Sequence, residues 1–233
     1  MPIAVDQVNV GEFALDSSAS TIAVTTSATV ASGGFIVLYF TWVGPSVTLS
    51  SVSGGGLTWT IDKQGESTGL DPDCDGAIVS APAPAGLASG TTITGTLSAA
   101  TVGGCSVAAT SFTGVLTPGS VDTTAGPSDY TTTAWTVSMT TSGSAVLVAG
   151  AMDFHTSDTS TITSPSVEAH DFGAAGGFEQ TVGYRIEPAA GTYTVAGTWA
   201  ASATGTALGV AYKAAVSAAA SAPFTPHRMP LGV

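Results

Sequence analysis

The feature that most constrains this chain is an alternation of period two that runs through it in short bursts. In residues 192–199, Tyr193, Val195, Gly197 and Trp199 point one way, and Thr192, Thr194, Ala196 and Thr198 the other. That period belongs to a strand with one face buried and the other wearing threonines. No window of a dozen residues sustains the i, i+3, i+4 apolar spacing of a helix. Similar runs, rich in Val, Thr and aromatic residues and bounded by Gly, Pro, Ser and Asp, predict strands near 3–10, 20–26, 34–43, 46–52, 57–62, 76–81, 91–98, 105–113, 133–140, 144–153, 160–170, 179–187, 192–199 and 206–214. Many short strands with regular turn signals predict an all-β fold of antiparallel sheets.

Charge narrows the function classes. The 233 residues carry 4 Lys+Arg against 16 Asp+Glu, a net charge of -12, and only 9% of them are charged. The whole cationic stock is Lys63, Arg185, Lys213 and Arg228, too few to neutralise a run of phosphates, so nucleic acid and anionic membrane surfaces are excluded as partners. Ala, Thr, Gly and Ser make up ~55% of the chain, yet 44% of residues are hydrophobic, enough for a folded core. The longest apolar stretch, residues 35–43 (FIVLYFTWV), falls far short of the ~20 residues of a bilayer span. The N-terminus has no basic region and meets Asp6 before any sustained apolar run, so no secretory signal is read and synthesis in a cytoplasm is expected. Cys74 and Cys105 allow one internal disulfide, closed only in an oxidising medium; two reduced, passive thiols are the plainer reading.

A weak internal repeat organises the strands. Ile93, Gly95 and Leu97 recur as Val195, Gly197 and Trp199, an offset of 102 residues by simple subtraction. Upstream, the strand and Pro-containing turn at 78–86 parallel those at 182–191; SGGFIVLYF parallels SGSAVLVAG, and CSVAATSF parallels GTALGVAY. The expected organisation is an N-terminal strand or arm (1–19), a sandwich (20–215) with pseudo-repeats at about 20–115 and 130–215, and an extended C-terminal arm (216–233). A Pro- and Gly-rich connector spans Leu116 to Asp129. Two small tandem sandwiches compete with one sandwich that interleaves the halves. The second is preferred, because each half has few large apolar side chains with which to close a core alone.

The succession SGGFIVLYF, GGGLTWT, AIVSAPAPAGLASGTTITGTLS, SVAATSFTGV and TTTAWTVSMTTSGSAVLVAG resembles a jelly-roll-like β-sandwich domain of tailed-phage virion proteins, also found in some bacterial surface proteins. The likeness rests on turn and strand punctuation at 56–60, 84–86 and 112–115, and not on catalytic residues. It implies a non-enzymatic virion structural protein. The role implied is a capsid decoration protein on the outer surface of the shell, made in the host cytoplasm, with a head-fibre or tail accessory as its close neighbour. A glycan-binding surface module is the rival from a different class. The partners implied are a major capsid protein or other virion protein and further copies of the chain, a trimer by analogy. The resemblance bears on fold more directly than on role, because jelly rolls host many functions.

Candidate chemistry is sparse. Asp71, Asp73 and Asp75, with Gly76, reproduce the opening D-x-D-x-D-G of a calcium loop, but the twelfth position is Pro82, which supplies no carboxylate. Asp62 and Glu66 would complete an oxygen site if 57–62 and 76–81 pair as a hairpin; an acidic, solvated hairpin loop is the commoner outcome, and no other cofactor is expected. His155 and His170, amid Asp153, Asp158, Glu168 and Asp171, would hold a transition metal only if their strands pair. Residues 65–69 satisfy G-x-S-x-G around Ser67, but no helix follows, as a nucleophile elbow requires. Of the four tryptophans, Trp42 and Trp135 are the candidates for an exposed, sugar-stacking ring; Trp59, Trp199 and Tyr193 read as core. In the C-terminal arm, Pro223, Pro226 and Pro230 favour an extended chain, and Phe224, His227, Arg228, Met229 and Leu231 are the expected contacts to a neighbouring subunit or shell protein.

Overall fold

The computed structural model describes residues 2–15, 17–67, 73–117, 120–153, 160–174, 178–201 and 204–215. The first half contributes β1 (Ala4–Leu15), β2 (Thr21–Thr25), β3 (Gly34–Val43), β4 (Leu49–Gly54), β5 (Thr60–Glu66), β6 (Cys74–Ala83), β7 (Thr92–Leu97) and β8 (Cys105–Thr113). The second contributes β9 (Val121–Tyr130), β10 (Ala134–Thr141), β11 (Ala145–Asp153), β12 (Ser160–Ile162), β13 (Val167–Ala174), β14 (Phe178–Glu187), β15 (Gly191–Trp199) and β16 (Gly205–Lys213).

Each half forms a five-stranded and a three-stranded antiparallel sheet. The orders are β1-β8-β3-β6-β5 with β2-β7-β4, then β9-β16-β11-β14-β13 with β10-β15-β12. Adding eight to every label of the first half gives the second, so the pseudo-repeat in the sequence is a repeat of topology. The pairing is jelly-roll-like, with the fifth strand of each half on the edge of the larger sheet. The repeated glycines sit at equivalent places, in the middle strand of each small sheet. A Cβ on Gly95 would lie 2.8 Å from the Phe40 ring, and one on Gly197 would lie 2.7 Å from the Trp135 ring. Each half thus makes room for one core aromatic by omitting a side chain.

Three cores result. Ile36, Leu38, Phe40 and Trp42 of β3 face Ile22, Val24, Leu49 and Ile93 within the first half. Leu147, Ala149 and Ala151 of β11 face Trp135, Val137, Val195 and Trp199 within the second. Between the halves the two large sheets lie back to back, burying Phe35, Val37, Tyr39, Ile78 and Phe112 with Val146, Val148, Val182, Leu208, Val210 and Tyr212. Strands β3 and β11 are therefore buried on both faces, which is why residues 35–43 read as one continuous apolar run.

The halves meet with pseudo-twofold symmetry, β1 against β13 and β5 against β9, β8 against β14 and β6 against β16. Equivalent strands exchange places, as in an isologous dimer. Near the centre the Tyr39 hydroxyl donates to the Gly150 carbonyl at 2.7 Å, and a Cβ on Gly150 would stand 3.1 Å from the Tyr39 ring. Edge-to-face pairs Phe35–Tyr212 and Phe112–Tyr184, with centroids 5.0 and 5.6 Å apart, flank it.

The halves are layered, not interleaved strand by strand: among the described residues no sheet takes strands from both. The shortage of large side chains is met by the third core, which each half shares with the other. The expected connector at 116–129 contains β9, an edge strand, where Pro127 is tolerated at a register shift opposite Ala207–Gly209. The single strand expected at 160–170 is two, β12 and β13, which lie in different sheets.

Candidate functional site

Where β5 and β6 meet the start of β9, the large sheets part and leave a cleft of about 350 Å³. Phe35, Pro82 and Val121 give it apolar walls, and Thr58, Thr60, Ser80, Thr117 and Ser120 add polar side chains. Among the described residues, Asp62 supplies its one carboxylate and no Lys, Arg or His lines it. The register of β5 on β6 shifts between Ile61 and Lys63, a β-bulge centred on Asp62; bulges of this kind re-aim a side chain. Tyr212 of β16 donates its hydroxyl to Asp62 Oδ2 at 2.8 Å, so the two halves are joined through this carboxylate. Burial raises the Asp62 pKa above the ordinary carboxylate value, while hydrogen bonds from Ser80 and Tyr212 pull it back. Burial first, and the Asp62 charge second, hold the Tyr212 hydroxyl well above its usual value, so it remains a neutral donor.

The described acidic residues of this region take separate partners. Strands β5 and β6 do pair as a hairpin, from Thr60 opposite Ser80 to Glu66 opposite Asp75. Asp62 nevertheless goes to the seam, and Glu66 accepts the Ser46 amide at 2.9 Å. Asp75 is fully buried and accepts the Ser67 amide at 3.1 Å. Its carboxyl is pushed up to about 7, by burial first and then by the charges of Glu66 and Asp73. Asp73 is half-buried, and Asp71 lies outside the described residues. Among the described residues no group of three His, Cys, Asp or Glu gathers to hold a metal.

His170 is buried between the halves. Its Nε2 faces the Ala109 carbonyl at 3.0 Å and its Nδ1 faces Glu12 Oε2 at 3.1 Å, so it joins β13 to the sheet of the first half. His155 lies outside the described residues; β11, which precedes it, is separated from β13 by β14. Glu168 and Asp171 turn instead toward the backbone amides of Ile162 and Ser160.

Ser67, the serine of the G-x-S-x-G match, is buried and accepts the Cys74 amide at 2.9 Å, a turn-closing role. Cys74 and Cys105 are buried thiols, on strands that flank β3 on opposite sides. Two strand spacings, roughly 10 Å, exceed the reach of a disulfide. Trp42 and Trp135, expected as exposed rings, are buried, their alternation placing them on the inner faces of β3 and β10. Trp199 is buried too, and Trp59 packs against the first core half-buried. Phe224, His227, Arg228, Met229 and Leu231 lie outside the described residues.

The cleft was not legible in the sequence, since its walls come from residues 35–121 and its hydrogen bond from Tyr212. The fold and site define an all-β protein of two jelly-roll-like halves packed back to back, with a carboxylate-floored cleft at their seam. No protein-family model, no curated protein and no solved structure matches the chain.

Proposed function

We propose that this chain is a non-enzymatic structural protein of a tailed-phage virion, a capsid decoration protein that packs on the outer surface of the shell. The observation that supports this reading is the character of the two outermost sheet faces. On β10 and β15 the outward residues are Ala134, Thr136, Ser138 and Thr140 with Thr192, Thr194, Ala196 and Thr198. On the opposite side of the molecule, β2 and β7 present Thr21, Ala23, Thr25, Thr92, Thr94 and Thr96. Neither set holds a charge. Hydroxyls pair across the strands, Ser138 with Thr194 and Thr140 with Thr192 at 2.8 Å each.

Such a face has no ion to desolvate and little side-chain entropy to lose on contact, so it suits repeated packing against a protein lattice or further copies of the chain. The C-terminal segment 216–233, with Phe224, Arg228, Met229 and Leu231, serves as a tether that raises effective concentration once the face is docked. The acidic remainder of the surface keeps particles soluble and apart.

Co-sedimentation of the purified protein with virions of its phage tests the reading, with saturation at a fixed copy number expected. Placing charge on one face, as in Thr140→Lys or Thr194→Glu, should abolish retention without changing the thermal midpoint. Absence of particle binding, together with saturable binding of a glycan by the monomer, would replace this reading with that of a glycan-binding surface module.

A further inference from the structure

We propose that the seam cleft binds an organic cation, with an ammonium or amidinium-type head on Asp62 and a compact apolar body between Phe35, Pro82 and Val121. The volume of about 350 Å³ falls in the range of small-molecule sites, which combine apolar walls with a few placed polar groups. An ionised carboxylate accepts about four hydrogen bonds. Tyr212 and Ser80 supply two to Asp62, both as neutral donors. That leaves acceptor capacity on a carboxylate that lines the cleft, and among the described residues no cationic side chain lines it to use that capacity.

The charge of the ligand follows from the cost of the site. A partly desolvated carboxylate is destabilising unless paired, and neutral donors offset that only in part. An alcohol or amide would add one more neutral bond, whereas a cation also supplies the missing charge. The net charge of -12 raises the local concentration of any cation. The apolar walls favour a head attached to a ring or short hydrocarbon over a bare metal ion, which prefers several oxygen ligands. On β16, which packs against β5, Lys213 is already engaged by Asp122. This proposal is independent of the virion reading, since it concerns a different surface.

The test is titration of the full chain with benzamidine, followed by calorimetry and by chemical shifts, with neutral benzamide as the matched control. Expected are saturable benzamidine binding and benzamide at least tenfold weaker. Asp62→Asn, which keeps the acceptor for Tyr212, should weaken benzamidine at least tenfold; Val121→Trp, which fills the cleft and leaves the carboxylate, should do the same. Equal binding of benzamide, no saturation by benzamidine in the unaltered chain, or unchanged affinity in either variant that retains cooperative thermal unfolding would overturn the proposal.

Discussion

Asp75 offers the sharpest test of the energetics, because its chemistry and its position disagree. The side chain is fully buried, and its carboxyl titrates at about 7 against an ordinary 3.8. A folded-state pKa above the unfolded one means that the fold prefers the protonated form. The associated stability is complete below about 3.8 and is lost as pH rises toward about 7. The difference of roughly 3 units, at 1.36 kcal/mol each, sets a ceiling of about 4 kcal/mol. Part of the rise comes from Glu66, which is exposed and whose charge water and salt screen, so about half of that, ~2 kcal/mol, is the expected cost at pH 8. Asp75→Asn is isosteric with the protonated acid and keeps an oxygen for the Ser67 amide. Urea unfolding of both proteins at pH 4, 6 and 8 should show the variant more stable by ~2 kcal/mol at pH 8, a midpoint shift of about 1 M for a chain of this size. The gain should shrink through pH 6 and vanish near pH 4. A variant no more stable at pH 8, or one whose gain is as large at pH 4, would refute the reasoning.

Other consequences follow from the seam and the thiols. Tyr39→Phe removes the buried bond to Gly150 and should cost about 1 kcal/mol, whereas Gly150→Ala drives a methyl toward the Thr181 carbonyl and should cost roughly 2–3 kcal/mol; equilibrium unfolding would show the order reversed if the seam were loosely packed. His170→Ala should cost about 2 kcal/mol and Glu12→Gln well under 1 kcal/mol, because His170 is buried and Glu12 half-exposed; equal losses in thermal unfolding would contradict the assignment of His170 as the strut. Burial pushes the Cys105 thiol up to about 11 and raises that of Cys74 further, so neither should react with an aromatic disulfide reagent at pH 8 until the chain unfolds. Fast labelling of the native protein would show that the strands around β3 open.

Much of the architecture is legible along the chain. Alternation in residues 192–199 predicts both the strand and its inner face, and Val195 and Trp199 are indeed buried while Thr192 and Thr198 are exposed. The recurrence of Ile93-Gly95-Leu97 as Val195-Gly197-Trp199 predicts two halves with one strand plan, and the sheet orders repeat accordingly. Strand β9 was hidden because an edge strand need not bury a face: its residues are mostly half-buried or exposed, and Gly126 and Pro127 interrupt the pattern. The acidic residues were the least legible. The hairpin reading placed Asp62 beside Asp75, but Asp62 accepts from Tyr212 across the seam while Asp75 accepts the Ser67 amide, because neighbouring side chains on paired strands go to opposite faces.

What the sequence determined by itself is everything that depends on near neighbours: strand type, which residues share a face, where turns fall, and the scarcity of charge. Tertiary structure alone decided which faces meet. The burial of β3 on both sides, the buried state of Trp42 and Trp135, and the fate of Asp62 depend on groups far away in the chain. The partner of Asp62 is Tyr212, 150 residues on. A period of two specifies an inside and an outside but carries no address for the sheet that will cover it, and in this molecule that address is supplied by the other half.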